Sequence, residues 1–150
     1  MHEVFIDADA CPVKDETYKV AKRHGMVVWV VANQYIQTPR GEDVRLVTVK
    51  SGDDEADDWI AERAGRGDIV VTADIPLAAR ALDNGARVLG IKGREFTKEG
   101  IGDALAGREL SSQLREMGIQ TGGPAPFSKR DRSTFSNKLD ALAHAVKRLS

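Results

Sequence analysis

The residues with the clearest chemical potential in this sequence are acidic side chains grouped in three short segments. Asp7 and Asp9 form the first group, and Asp74 stands alone as the last. The middle group has five acids within positions 53–58: Asp53, Asp54, Glu55, Asp57 and Asp58. Clustered carboxylates are the ligands of hard divalent cations, so these groups favour metal-assisted chemistry.

The middle acidic group lies where a helix is predicted to begin. The helix dipole stabilises acids in the first turn, which accounts for Asp53, Asp54 and Glu55. It does not account as well for Asp57 and Asp58, which share a helix face with Asp54 at i, i+3, i+4 spacing and repel it. A bound cation would relieve this repulsion. Mg²⁺ or Mn²⁺ is the natural candidate because both prefer carboxylate and water oxygens. The alternative is an acidic cleft with a structural role, or one that binds metal without catalysis.

The histidines and the cysteine give weaker indications of a functional site than the acids do. The three histidines, His2, His24 and His144, do not have the spacing of a zinc motif, and Cys11 has no partner cysteine. His24 and His144 fall in predicted helices and are interpreted as surface or packing residues. Cys11 is interpreted as a small packed residue rather than a nucleophile.

Short apolar runs separated by helical segments predict the strands and helices that position the acids. Predicted strands cover residues 4–6, 27–32, 44–49, 69–72 and 88–91, and predicted helices cover 12–24, 53–64, 76–84, 97–117 and 131–149. This alternation, with uninterrupted apolar strands, predicts a parallel sheet covered on both faces. Ligands bind at the carboxyl ends of such strands, and all three acidic groups fall there or at the start of the next helix.

Composition and charge narrow the class of protein. The chain has 150 residues, 41% of them hydrophobic, and its apolar runs are too short to span a membrane. One cysteine and no signal peptide favour a cytoplasmic protein. Residues 1–85 carry a net charge of −6 and residues 86–150 a net charge of +5. Such a split is typical of a metal centre beside a polyanion-binding flank, or of a charge pattern that folding mixes.

Two acidic motifs, Glu55-Ala56-Asp57-Asp58 and Thr72-Ala73-Asp74, are similar to those of PIN-type ribonucleases and of flap and polymerase-associated 5′-nucleases. The strand that ends at Asp7 matches the first metal-binding aspartate of these enzymes. The resemblance implies a Mg²⁺- or Mn²⁺-dependent nuclease, with RNA favoured over DNA as the substrate. One position departs from the pattern, because these nucleases commonly have a second aspartate where this chain has Pro76.

The resemblance also implies roles for the acids. Asp7, Asp58 and Asp74 would be catalytic and would anchor one metal ion. A second ion, or the waters around it, would be held by Asp9, Asp54 and Asp57. Metal-bound water would supply the hydroxide that attacks a phosphodiester, and two ions roughly 3.5–4 Å apart would clamp the attacking and leaving oxygens.

Further segments extend the match over nearly the whole chain. They are Asp7-Ala8-Asp9-Ala10-Cys11-Pro12-Val13-Lys14, Val31-Ala32-Asn33, Gly52-Asp53-Asp54-Glu55-Ala56-Asp57-Asp58, Thr72-Ala73-Asp74-Ile75-Pro76-Leu77-Ala78 and Gly122-Gly123-Pro124. Together they resemble the YaiI/YqxD group of uncharacterised bacterial proteins. The resemblance implies one three-layer PIN-like α/β domain over residues 1–150. Its central sheet would be mostly parallel, with about five strands, and a helical C-terminal extension would begin at about residue 95.

Basic residues of the second half are candidates for binding the phosphates of a nucleic acid. They are Lys129, Arg130, Arg132, Arg94 and Arg108. Basic residues at a helix start oppose the helix dipole, which favours a role beyond solvation. Asn33 ends a predicted strand and is a weaker candidate for the same cleft.

Two other functions stay open. Asp7 and Asp9 have the D-x-D form of a haloacid-dehalogenase-like phosphatase. In such an enzyme Asp7 would be the nucleophile and Asp9 the acid–base. Thr72 and Lys92 would then be the threonine and the lysine of the other motifs of that class. Against this, the acidic run at 53–58 precedes Thr72, whereas that class places its acidic motif after the lysine. The other function is a non-catalytic nucleic-acid-binding module, which the missing aspartate at Pro76 favours.

Overall fold

A computed structural model of the protein describes residues 2–9, 11–40, 43–52, 54–102 and 127–149. Asp53, Arg108 and the Gly122-Gly123-Pro124 segment lie outside these ranges, and so does most of the helix predicted over 97–117. The strands are β1 (Glu3–Asp7), β2 (Val27–Ala32), β3 (Val44–Thr48), β4 (Ile69–Val71), β5 (Arg87–Leu89) and β6 (Glu95–Phe96). The helices are α1 (Lys14–His24), α2 (Glu55–Arg63), α3 (Ile75–Asp83), α4 over the described residues 98–102, and α5 (Lys129–Lys147).

The strands form one six-stranded sheet in the order β3-β2-β1-β4-β5-β6. Strands β1 to β5 are parallel, as their apolar runs predict, and β6 pairs antiparallel with β5. The sixth strand was not expected from the sequence. It has two residues, Glu95 and Phe96, and two residues are too few for any periodicity to be visible.

Helices cover both faces of the sheet, which gives three layers. On one face, Val4 and Ile6 of β1 belong to a buried cluster that includes residues of α1 and α5. On the other face, Phe5 of β1 belongs to a cluster with residues of α2 and α3. The alternation along β1 follows from the two-residue period of a strand, and it confirms the α/β class with a mostly parallel sheet.

Residues at the helix ends explain where α1 stops and where α5 starts. Gly25 ends α1 in the left-handed conformation, at φ 67°, as its position in the sequence predicts. Helix α5 starts at Lys129, two residues before its predicted start. Ser128 and Asp131 form a capping box there, with bonds of 3.1 and 3.0 Å between side chain and backbone. No helix in the described ranges combines the length and apolar character needed to cross a bilayer.

The strand order creates a crevice beside β1. The chain passes from β1 to β2 and β3 on one side, then returns through α2 to β4 on the other side of β1. Neighbouring loops at the carboxyl ends of β1 and β4 therefore lead to opposite faces of the sheet. Ligands of open α/β sheets bind at such a switch point.

Candidate functional site

A cavity of about 520 Å³ opens at the carboxyl edge of the sheet, at this switch point. Its polar lining residues are Asp7, Asp9, Asn33, Asp57 and Asp74, and apolar contacts come from Ala56, Ala73, Ile75 and Ile91. The structure thus brings together acids from all three sequence groups, carried by the ends of β1 and β4 and by α2. This is the arrangement expected if each acid follows a parallel strand.

A buried threonine links two of the acids. The Thr72 hydroxyl donates to Asp7 Oδ2 at 3.0 Å and accepts a bond from the Asp74 backbone N–H at 3.0 Å. Thr72 is only 1% exposed, so its hydroxyl requires these partners. It fixes the distance between the carboxyl ends of β1 and β4.

Asp74 also caps helix α3. Its Oδ1 accepts a bond from the Leu77 backbone N–H at 2.9 Å, and Pro76 lies in the first turn, where its missing N–H costs no helical hydrogen bond. The proline that replaces an expected aspartate therefore has a helix-starting role. The second oxygen of Asp74 is not needed for the cap.

Asp9 lies at the cavity rim and is exposed. Both of its carboxylate oxygens accept the Asn33 backbone N–H, at 3.2 and 3.1 Å. This contact holds the loop after β1 against the end of β2. Asp9 therefore fixes the shape of the cavity rim and also contributes negative charge there.

Burial, and to a lesser extent mutual repulsion, raises two of the cavity carboxyl pKa values. Burial raises the pKa of Asp7 above its ordinary value, the Thr72 hydroxyl opposes this, and the charges of Asp74 and Asp9 add to it. Burial raises the pKa of Asp57 to about 6, with further contributions from Asp74, Asp7 and Asp54 and an opposing one from Arg80. The cavity is therefore a region of unneutralised negative potential.

Asp58 and Asp54 do not line the cavity. Asp58 Oδ1 pairs with Arg80 Nη1 at 2.7 Å, and Asp58 does not line the cavity. Successive helix residues are about 100° apart around the axis, so when Asp57 faces the cavity Asp58 turns toward α3. Asp54 stands exposed at the N-cap of α2 without a side-chain capping bond. The charge of Asp54 nonetheless contributes to the raised pKa of Asp57, as expected for acids at i, i+3 spacing.

The cavity carboxylates are also widely spread. Within the described ranges they do not provide three oxygens that all lie within 4.8 Å of one another. A divalent ion held here would have one or two carboxylate ligands and would complete its shell with water, which is the usual coordination of Mg²⁺.

The basic candidates have different surroundings. Arg132 Nη1 donates to the Pro12 carbonyl at 2.6 Å, and its guanidinium lies 4.9 Å from the Phe127 ring centroid. These contacts hold the start of α5 against the segment that follows β1, at the edge of the sheet that bears the cavity. Lys129 and Arg130 are exposed at the same helix start, and Arg94 is exposed in the turn after β5.

Sequence reasoning missed two features of the site. Arg80 was not considered, because nothing in the sequence pairs it with Asp58, 22 residues away. The bridging role of Thr72 was also missed, although a threonine two residues before a helix-capping aspartate can bond that residue's N–H. Cys11 is a buried core residue, and burial raises the pKa of its thiol, which fits the packing role expected of it.

The fold and the cavity define an α/β protein with an acidic cavity at the switch point of a mostly parallel sheet. Within that class, the chain belongs to the bacterial family described as "Uncharacterized BCR, YaiI/YqxD family", whose model matches residues 5–145. The resemblance to the YaiI/YqxD group is thereby confirmed.

Similar bacterial proteins match over more than nine-tenths of their length. A UPF0178 protein of Parvibaculum lavamentivorans is 54% identical over 148 residues, which cover 99% of this chain and 97% of the relative. A UPF0178 protein of Azorhizobium caulinodans is 55% identical over 145 residues, covering 97% and 91%. One from Caulobacter vibrioides is 52% identical over 145 residues, covering 97% and 95%. No solved structure matches the chain.

Proposed function

We propose that this protein is a Mg²⁺- or Mn²⁺-dependent nuclease of the PIN-like type that cleaves RNA. The observation that carries the proposal is the convergence of Asp7, Asp57 and Asp74 in one cavity at the switch point of the sheet. Three acids from separate elements repel each other there, and Asp7 and Asp57 have raised pKa values as a result of burial and that repulsion. Such a cluster is costly unless a cation or a reaction uses it.

The donor set fits a hard divalent cation. Asp7 and Asp74 each use one oxygen in an internal hydrogen bond, at 3.0 and 2.9 Å, and keep the other for a metal ligand. Asp57 faces the cavity where the nuclease resemblance placed Asp58, and its role here is to accept a proton rather than to bind the metal ion. When bound, Mg²⁺ or Mn²⁺ lowers the pKa of coordinated water and neutralises charge on a phosphodiester.

The chain's own residues supply positioning and proton transfer. The Thr72 bridge holds Asp7 and Asp74 at a constant separation, so their free oxygens are preorganised. Asp57, with a pKa of about 6, is suited to accept a proton from water near neutral pH. Asp9 contributes charge at the rim while its oxygens stay bonded to Asn33.

A nucleic-acid path leads from the cavity toward α5. Lys129 and Arg130 are exposed at the start of that helix, which Arg132 holds beside Pro12. Phosphates bound by these cations would direct the adjacent backbone toward the acids. The net charge of +5 over residues 86–150 has the sign that such a polyanion requires.

A non-catalytic nucleic-acid-binding module is the second candidate. Two observations favour it: Pro76 replaces an expected metal ligand, and the cavity acids are spread too widely to enclose an ion closely. The phosphatase alternative is weaker, because Asp9, its required acid–base, has both oxygens bonded to the Asn33 backbone.

The proposal is tested by cleavage of labelled single-stranded RNA with Mn²⁺ or Mg²⁺ and with EDTA. Asp7→Asn should abolish cleavage and leave the fold intact, since the amide keeps the shape and loses the charge that a hard cation needs. Asp57→Asn should reduce cleavage by roughly a hundredfold or more, as expected for loss of a proton acceptor. Asp58→Asn is the matched control, because it removes the same charge one residue outside the cavity.

Each other outcome selects a different function. RNA binding without cleavage in any metal selects the binding module. Turnover of a small phosphomonoester with intact RNA selects the phosphatase. Equal cleavage by wild type, Asp7→Asn and Asp57→Asn would mean that the activity comes from a contaminant.

A further inference from the structure

A second group of metal-ligating side chains lies at the far end of α1, away from the acidic cavity. His24 is the last residue of α1, and Asp140 and His144 lie one turn apart on α5. Helix α5 runs alongside α1, with its start near Pro12 and its later turns near His24. The group therefore joins two helices that are more than a hundred residues apart in the chain, His24 and Asp140 being separated by 116 positions.

The three side chains have the geometry of an incipient metal site. One ligand atom from each lies within 4.8 Å of those of the other two, and this is the one such triad found in the described ranges. His24 Nε2 is 2.7 Å from Asp140 Oδ1, and His144 Nε2 is 3.6 Å from Asp140 Oδ2. In a tetrahedral zinc site with Zn–N and Zn–O bonds of about 2.0–2.2 Å, ligand atoms are about 3.3–3.6 Å apart. Small side-chain rotations would bring the triad to those distances.

The three side chains of the triad become more exposed from His24 through Asp140 to His144. The His24 side chain is 3% exposed, that of Asp140 is 31% exposed, and that of His144 is 57% exposed. The inner ligand is thus fixed by packing, while the outer side of the site is open to water. Asp140 and His144 have the i, i+4 spacing that places two ligands on one helix face.

Two cations now occupy positions that a metal ion would compete for. Arg23 Nη1 lies 3.1 Å from Asp140 Oδ1, and Lys147 Nζ lies 3.1 Å from His24 Nδ1. Lysine can only donate, so in this arrangement His24 carries its proton on Nε2 and donates it to Asp140. Both cationic side chains are exposed and can turn into solvent, which leaves two imidazoles and one carboxylate for a metal ion.

We propose that His24, Asp140 and His144 bind a divalent transition-metal ion, with Zn²⁺ as the best-fitting ion and water as its fourth ligand. Two imidazole nitrogens and one carboxylate oxygen suit zinc, whereas the all-oxygen cavity suits Mg²⁺ or Mn²⁺. On binding, the neutral His24 ring coordinates through Nε2 and carries its proton on Nδ1, so Lys147 moves away. The ion would clip α5 to α1.

The test is titration of the untagged protein with Zn²⁺ and Co²⁺ at about pH 7.5, above the ordinary histidine pKa of about 6.5. Tetrahedral Co²⁺ with imidazole ligands gives visible absorption bands that can be followed directly and displaced with Zn²⁺. His144→Gln should weaken Zn²⁺ binding by roughly tenfold or more, since even outer-shell changes cost 10–100-fold. His2→Gln is the matched control, because it removes the remaining histidine elsewhere in the chain.

Two further comparisons make the result decisive. Asp7→Asn should leave the Co²⁺ bands unchanged, which separates this site from the acidic cavity. Lys147→Gln should strengthen Zn²⁺ binding, because it removes the competing cation at His24. Equal Zn²⁺ affinity in wild type and His144→Gln would overturn the proposal and leave the triad as an ion-pair network. His144 is exposed, so its substitution tests binding without unfolding the chain.

Discussion

Asp57 and Asp58 are adjacent and chemically identical, yet the fold gives them opposite surroundings. Asp57 faces Asp7 and Asp74 and has its pKa raised to about 6, mainly by burial. Asp58 faces Arg80 at 2.7 Å, where the charge of a guanidinium compensates its own. The difference comes from a rotation of one residue around α2. Asp57 is therefore the acid of this pair that lies in the cavity, where its pKa is raised.

This difference gives a prediction for stability against pH. The folded state holds the Asp57 proton up to about pH 6, whereas the unfolded chain releases it near the ordinary value of 3.8. The stabilising contribution is fully present below 3.8 and is lost as the pH rises through about 6. Asp57→Asn should therefore flatten the fall in unfolding free energy across this window and be more stable than wild type above it.

Urea unfolding across that pH window, in EDTA, measures the effect. Asp58→Asn is the control, because it removes the same charge away from the cavity and should keep the wild-type slope. An Asp57→Asn curve parallel to that of wild type would show that Asp57 does not hold its proton in the folded state.

At the scale of elements, the contact between α5 and the turn after β5 depends on a glycine. Gly93 has φ 89°, and a Cβ there would lie 2.8 Å from Thr134 Cγ2 and 2.9 Å from the Phe135 backbone nitrogen. Both the backbone conformation and the close approach of α5 exclude a larger residue.

Gly93→Ala should therefore destabilise the protein by about 1–3 kcal/mol, through strain and displacement of α5. Gly102→Ala is the matched control. Gly102 is helical, and nothing lies within 4 Å of a Cβ built there, so alanine should be neutral or stabilising by up to about 1 kcal/mol. Chemical denaturation of both variants gives the comparison. Equal midpoints would mean that α5 moves aside without cost.

Most elements could be predicted because each has a strong local signal. The run Val27–Ala32 is apolar, Val44–Thr48 is rich in β-branched residues, and Gly25 stops α1 where a left-handed residue is needed. Strand β6 could not be predicted, because two residues pair only when β5 is already beside them. The cavity edge followed from parallel strands, but the choice between Asp57 and Asp58 depended on helix rotation, which sequence spacing leaves undetermined.

The same limit explains why the sequence did not place His24, Asp140 and His144 together. His24 and His144 were interpreted as surface or packing residues, since zinc motifs are recognised by short spacings along the chain. Here the spacing is set by the packing of α1 against α5, which brings the two rings to a centroid distance of 4.5 Å. The proximity of His24 and His144 is therefore visible in the fold and not in their spacing along the sequence.

For the whole molecule, the acidic cavity and the triad predict separate responses to metal ions. Saturating Mg²⁺ should raise the melting temperature of the wild type relative to EDTA, because an ion bound only by the folded state stabilises it by about 2.7 kcal/mol at a hundredfold excess over Kd. Asp7→Asn should lose this shift, and His144→Gln should keep it. Differential scanning calorimetry measures both. Identical melting temperatures of the wild type in Mg²⁺ and EDTA would contradict metal binding in the cavity.

The packing of α5 against α1 also has a consequence for synthesis on the ribosome. The face of the sheet that bears Val4 and Ile6 is completed by Phe135, Leu139 and other apolar residues of α5. Arg132 and Pro12, which meet there, are 120 positions apart. This face is only partly covered until α5 leaves the exit tunnel, because α5 is made more than a hundred residues after α1. The apolar surface that α5 covers is therefore exposed on the nascent chain until then, and the final folding step follows the synthesis of α5.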